Sequence, residues 1–141
     1  LAMETKIIKL FLRLSIAAGM LSAVADRFGI WNKEVSAWGN WDAFLEYTRS
    51  LNPWFPASVI PVIGSIATIA ETVFALCLLI GYKTELFAKL SGFLLLLFGL
   101  AMSYSISIKA PLDYSVFAAS GAAFALSLLK EKFCEVDTLF S

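Results

Sequence analysis

The chain has 141 residues, of which 60 % are hydrophobic and 16 % charged, and its mean hydropathy is +0.80. A soluble domain of this size carries roughly 25 % charged residues, so the composition excludes a soluble core with a polar shell and points to a single membrane-embedded domain over 1–141. Eleven basic and eleven acidic residues give zero net charge, which excludes a basic nucleic-acid surface.

A membrane-crossing helix needs about 20 mostly apolar residues. Four segments meet or approach that requirement, predicting spans over 7–28, 58–80, 86–108 and 112–129. The first carries Arg13 in its interior and ends in Asp26-Arg27, without the small-residue cleavage site of a signal peptide. The fold class expected is all-α, an integral membrane four-helix bundle.

Between the first two spans lies a longer connection holding all four tryptophans, Trp31, Trp38, Trp41 and Trp54. Tryptophan favours the headgroup zone, where its ring is shielded and its N–H meets water. Within the connection, NWDAFLEYTRSL predicts a short amphipathic helix capped by Asn40. Trp41, Phe44, Leu45 and Thr48 share one face, and Asp42, Glu46 and Arg49 another. This helix is expected to lie on the membrane surface over one end of the bundle.

The second span contains Glu71, and no other charged residue occurs between Trp54 and Lys83. A carboxylate near the midplane is costly unless it faces the bundle interior, and such residues mark functional sites. Arg13, on the neighbouring antiparallel helix, is the expected partner. The competing reading is a basic stripe of Lys6, Lys9 and Arg13 that snorkels to headgroups.

Gly81 is expected to stop the second span, with Thr84 capping the third. Pro111 is expected at the first position of the fourth span and Asp113 in its first turn. At the same end, Asp26, Arg27, Lys109, Asp113 and Tyr114 are expected to form the rim of a polar cavity. Ser103 and Ser107, with Thr68 and Thr72, would line its path to Glu71. Small residues four apart, Gly19 with Ala23 and Ala119 with Ala123, predict helix contacts, with a homodimer as the minority reading. Basic residues are modestly enriched on the side of both termini, which predicts cytoplasmic termini.

The sequence has no histidine and no C-x-x-C; its two cysteines are Cys77 and Cys134. No haem, metal or flavin site is evident, so electron transfer would need a diffusible carrier or a partner's cofactor.

RLSIAAGMLSAVADRFGIW, GNWDAFLEYTRSLNPW, ATIAETVFALCLLIGYKT and IKAPLDYSVFAASGAAFAL together resemble the DoxX family of small four-helix membrane proteins. The resemblance covers nearly the whole chain. Its most specific features match Arg13, Glu71 and the Asp113-Tyr114 pair. It implies a bacterial inner-membrane subunit of a quinone-linked sulfur-oxidation or detoxification complex, with quinone as ligand and a soluble or membrane redox partner. A more distant similarity to four-helix sterol isomerases of the EXPERA group implies a lipid- or isoprenoid-binding protein. A non-catalytic membrane scaffold remains the third reading. On the first two, Glu71 and Arg13 are the candidate catalytic residues. Asp113, Tyr114, Asp26, Arg27, Lys109, Ser103 and Ser107 are then the candidate ligand-binding residues.

Overall fold

The computed structural model describes residues 1–139. Among them are six α-helices and no strand: α1 (Ala2–Arg27), α2 (Trp41–Leu51), α3 (Ile60–Ile80), α4 (Thr84–Ser105), α5 (Lys109–Asp113) and α6 (Val116–Ser127). Single turns of 3-10 helix cover Ala57–Val59 and Val136–Leu139. The chain is an all-α helical membrane bundle. Helices α1, α3, α4 and α6 form its ring, α1 packing on α3 and α6, and α4 on α3 and α6.

Three helices are long and apolar enough to cross a membrane: α1, α3 with its leading 3-10 turn, and α4. The segment expected as a fourth span is not the continuous 112–129 helix. It is α5, a break at Tyr114 and Ser115, and then α6. Ser115 takes a left-handed conformation at φ +56°. The twelve residues of α6 rise about 18 Å, well short of a hydrocarbon core about 30 Å thick. Pro111 sits at the third position of α5 rather than at the start of a span. Asp113 ends α5 instead of opening a helix.

Polarity is reversed relative to a soluble bundle. Ile66 and Ile69 of α3, and Phe93 and Leu97 of α4, are more than half exposed. By contrast Arg13, Arg27, Thr68, Glu71 and Ser120 are buried. Apolar side chains facing outward cost nothing in lipid, whereas polar groups there would have no partners. The buried positions recur at helical period. On α1 they are Lys9, Arg13, Ile16, Ala17, Met20, Asp26 and Arg27; on α3 they are Ile60, Gly64, Thr68, Glu71, Ala75 and Leu78.

The close α4–α6 approach rests on two glycines. A Cβ on Gly92 would meet the Phe124 ring at 2.9 Å, and one on Gly99 would meet Phe117 at 2.7 Å. Ser120 Oγ donates to Gly92 O at 2.7 Å in the same interface. Ala123 is fully buried as expected, but Gly19 faces outward with nothing within 4 Å of its would-be Cβ.

The amphipathic helix forms as expected. Asn40 caps α2 by accepting from Ala43 N at 2.8 Å. Phe44, Thr48 and Leu51 are buried, while Asp42, Glu46 and Arg49 are exposed. Helix α2 lies across α3 and α4 at the end of the bundle away from the termini. It presses on α3 at Gly64, where a Cβ would meet Leu45 at 2.8 Å. Ser105 Oγ, at the last residue of α4, donates to Leu51 O at 2.7 Å.

Candidate functional site: a buried Arg27–Glu71 pair under an aromatic roof

Glu71 lies near the middle of α3 and its side chain is only 4 % exposed. Its partner is Arg27, the last residue of α1, not Arg13. Arg27 Nη1 forms the ion pair with Glu71 Oε2 and also donates to Thr68 Oγ1 at 2.8 Å. Thr68 in turn donates to Gly64 O at 2.8 Å. The guanidinium is covered by the Phe44 ring, 4.0 Å from its centroid, and the Trp38 ring at 5.3 Å. Rings so placed attract a cation through their negative faces.

The centre keeps unused hydrogen-bonding capacity. Arg27 Nε is buried without an acceptor among the described residues, and Glu71 Oε2 has the ion pair alone. Buried polar atoms in native structures are nearly always satisfied, so these two atoms retain capacity for a further partner.

Asp26, beside Arg27 in sequence, serves the roof. Its carboxylate accepts from Ala37 N at 2.7 Å, Trp38 N at 3.3 Å and Gly39 N at 3.1 Å. These bonds fold the loop after α1 so that Trp38 reaches Arg27. Trp31 Nε1 adds a bond to Ser22 O at 3.0 Å.

Arg13 belongs to the opposite end of the bundle. Its guanidinium is fully buried and bonds four carbonyls. Nε donates to Leu78 O at 2.9 Å and Nη2 to Leu79 O at 2.9 Å. Nη1 donates to Phe133 O at 2.9 Å, and Nη2 also to Cys134 O at 3.0 Å. The last carbonyls of a helix lack intrahelical partners and carry partial negative charge, so they suit a forked cation. Lys9 is drawn in too: its Nζ pairs with Glu135 Oε2 at 3.0 Å and donates to Glu131 O at 2.7 Å. The snorkelling stripe is therefore corrected as well, since Lys9 and Arg13 turn inward onto α3 and the segment after α6.

The expected rim does not assemble as one group. Lys109 and Asp113 pair with each other at 2.6 Å on the exposed face of α5, and Tyr114 is 75 % exposed. Ser103 donates to Gly99 O of its own helix at 2.7 Å, and Ser107 is exposed beyond the end of α4. Thr72 likewise bonds back, to Thr68 O at 2.8 Å. Of the residues expected to surround Glu71, the structure brings Arg27 and Thr68 to it and leaves the others elsewhere.

The sequence held a signal for the true pair. Arg13, Met20 and Arg27 are spaced by sevens and so share the inward stripe of α1. Side chains on a helix tilt towards its N-terminus. On α1 that tilt carries Arg13 away from the bundle middle and Arg27 towards it. On antiparallel α3 it carries Glu71 towards Arg27. Phe44 and Trp38 had no such signal, because their approach depends on how α2 and the preceding loop fold back.

Among the described residues no three His, Cys, Asp or Glu side chains group as a metal site. Comparison of the chain with protein-family models, curated proteins and solved structures gives no match.

Proposed function

We propose that this chain is a multi-pass inner-membrane subunit of the DoxX type, serving a quinone-linked redox complex with its termini in the cytoplasm. In this reading the Arg27–Glu71 centre is the ligand and proton site. The supporting observation is the buried ion pair with an orphaned Arg27 Nε beneath two aromatic rings. A quinone carbonyl accepts hydrogen bonds and its ring stacks on aromatic faces, so guanidinium and ring together suit its headgroup. Reduction to the quinol takes up two protons with two electrons. In this reading Glu71 relays them, and the electrons come from a partner chain carrying its own cofactor.

The test is extraction of purified protein with organic solvent and mass spectrometry of bound molecules, with Glu71→Gln alongside. Quinone enriched in wild type and depleted in the variant supports the reading. Bulk phospholipid alone in both samples overturns it. One observation favours a scaffold instead: Arg27 Nη1 is already committed to both Glu71 and Thr68, as in a centre that only fixes helix register. An isoprenoid lacking a quinone head, found in the extract, would favour the lipid-binding alternative.

A further inference from the structure

At the end bearing the termini, an open cleft of about 490 Å³ lies between the start of α4 and the chain leaving α6. Five lysines line it, Lys9, Lys83, Lys89, Lys130 and Lys132, against two carboxylates, Glu85 and Asp137. Both carboxylates are already committed. Glu85 is shared between Lys89 at 3.3 Å and Lys130 at 3.1 Å. Asp137 accepts from the amides of Lys83 and Thr84. Lys9 is neutralised by Glu135, which leaves four outer lysines against these two carboxylates and so a net positive cleft. Lys83 leans on the Tyr82 ring, and Lys132 Nζ donates to the Asp137 carbonyl at 3.4 Å while its charge acts on the Asp137 carboxylate.

The cleft is amphipathic. Leu86 and Leu129 form its apolar wall. Its lysines stand at and beyond the ends of apolar helices, Lys83 and Lys89 at the start of α4 and Lys130 and Lys132 after α6. A basic pocket between helix ends, open on one side to acyl chains, matches an anionic phospholipid: phosphate among the ammonium groups, chain against the leucines. A soluble phosphate would use the same ammonium groups but gain nothing from the leucine wall.

We propose that this cleft is a specific binding site for the phosphate headgroup of an anionic membrane phospholipid, separate from the Arg27–Glu71 centre. Four lysines from two helix ends act together, so exchange of phosphatidylglycerol at the cleft is slower than exchange of annular lipid.

Native mass spectrometry of the detergent-solubilised chain, titrated with phosphatidylglycerol or phosphatidylcholine, reads the binding directly. The test variant is Lys83→Gln with Lys130→Gln and Lys132→Gln, and the control is Lys33→Gln with Arg49→Gln at the opposite end. Wild type and control are expected to retain phosphatidylglycerol over phosphatidylcholine, and the triple variant to bind it about tenfold more weakly or worse. A second variant, Leu129→Gln, leaves every charge in place and is expected to weaken the lipid while sparing inorganic phosphate. Equal retention of both lipids by wild type overturns the proposal. So does a triple variant indistinguishable from the control. Displacement of the lipid by millimolar inorganic phosphate, with Leu129→Gln neutral, would assign the cleft to a soluble phosphate and overturn the lipid assignment.

Discussion

Arg27 at the end of α1 and Glu71 in the middle of α3 form an ion pair whose side chains are only 3 % and 4 % exposed. It joins the first two spans at the level of the aromatic roof. Removing one partner leaves the other charge buried and unpaired, which costs about 3–5 kcal/mol. Glu71→Gln and Arg27→Gln should each lower the detergent-solubilised melting temperature strongly. The double variant Arg27→Met with Glu71→Leu should recover most of the loss. A double variant as unstable as the two single losses added would show that the residues do not act as a pair.

Arg13 ties three pieces of chain together through four carbonyls, two at the end of α3 and two beyond α6. Lysine keeps the charge but cannot fork across them. Hydrogen bonds to charged groups contribute about 1.5–3 kcal/mol each, so Arg13→Lys should weaken the attachment of residues 130–139 by about 3 kcal/mol or more. Limited proteolysis checks this: cleavage in that segment should speed up while α1 and α3 stay protected. Unchanged cleavage would refute the anchoring role.

Asp137 completes the same end by capping α4. Burial alone would raise its pKa, but hydrogen bonds from the amides of Thr84 and Lys83 outweigh it and hold the carboxyl below its ordinary value. A carboxyl depressed in the folded state contributes stability above its unfolded pKa, about 3.9, and loses that contribution as pH falls through the lower folded value. Amide protection at Lys83 and Thr84 should therefore persist at pH 5 and decline below about pH 4. In Asp137→Asn the protection should be weaker at pH 5 and no longer fall with that titration. An identical acid profile in both proteins would remove Asp137 as the cause.

Gly81 allows the chain beyond α6 to lie against the α3–α4 turn. Its φ is +74°, and a Cβ there would meet Glu135 Cβ at 2.5 Å. Alanine is disfavoured in this backbone conformation by about 1–2 kcal/mol before any clash. Gly81→Ala should therefore displace Glu135 from Lys9 and Thr84, which it now meets at 3.0 and 2.7 Å. Faster hydrogen exchange at residues 133–138, with α3 unaffected, is the expected result. Full protection in the variant would contradict the close approach.

The polar network at the terminal end was largely invisible in the sequence. Thr84 was expected to cap α4, yet Lys83 occupies the cap position in a left-handed conformation and the capping carboxylate comes from Asp137. Thr84 instead donates to Glu135 at 2.7 Å. No local pattern foretells a cap supplied from more than fifty residues away, because only tertiary folding brings the two segments together. The break at Tyr114 and Ser115 had no local clue: Pro111 perturbs the turn that precedes it, and the left-handed Ser115 followed no residue preference, since serine has no special freedom at positive φ.

By itself the sequence determined the all-helical membrane character, three of the four expected spans, the amphipathic α2 with its Asn40 cap, and the burial of Glu71. Each follows from hydropathy, periodicity or the cost of a charge in lipid, and these act within one helix. Tertiary structure decided which arginine meets Glu71, which carbonyls hold Arg13, and which rings roof the pair. A buried charge dictates only that some partner be found. Which partner is within reach depends on helix register, on the tilt of side chains towards each helix N-terminus, and on where the intervening loop returns.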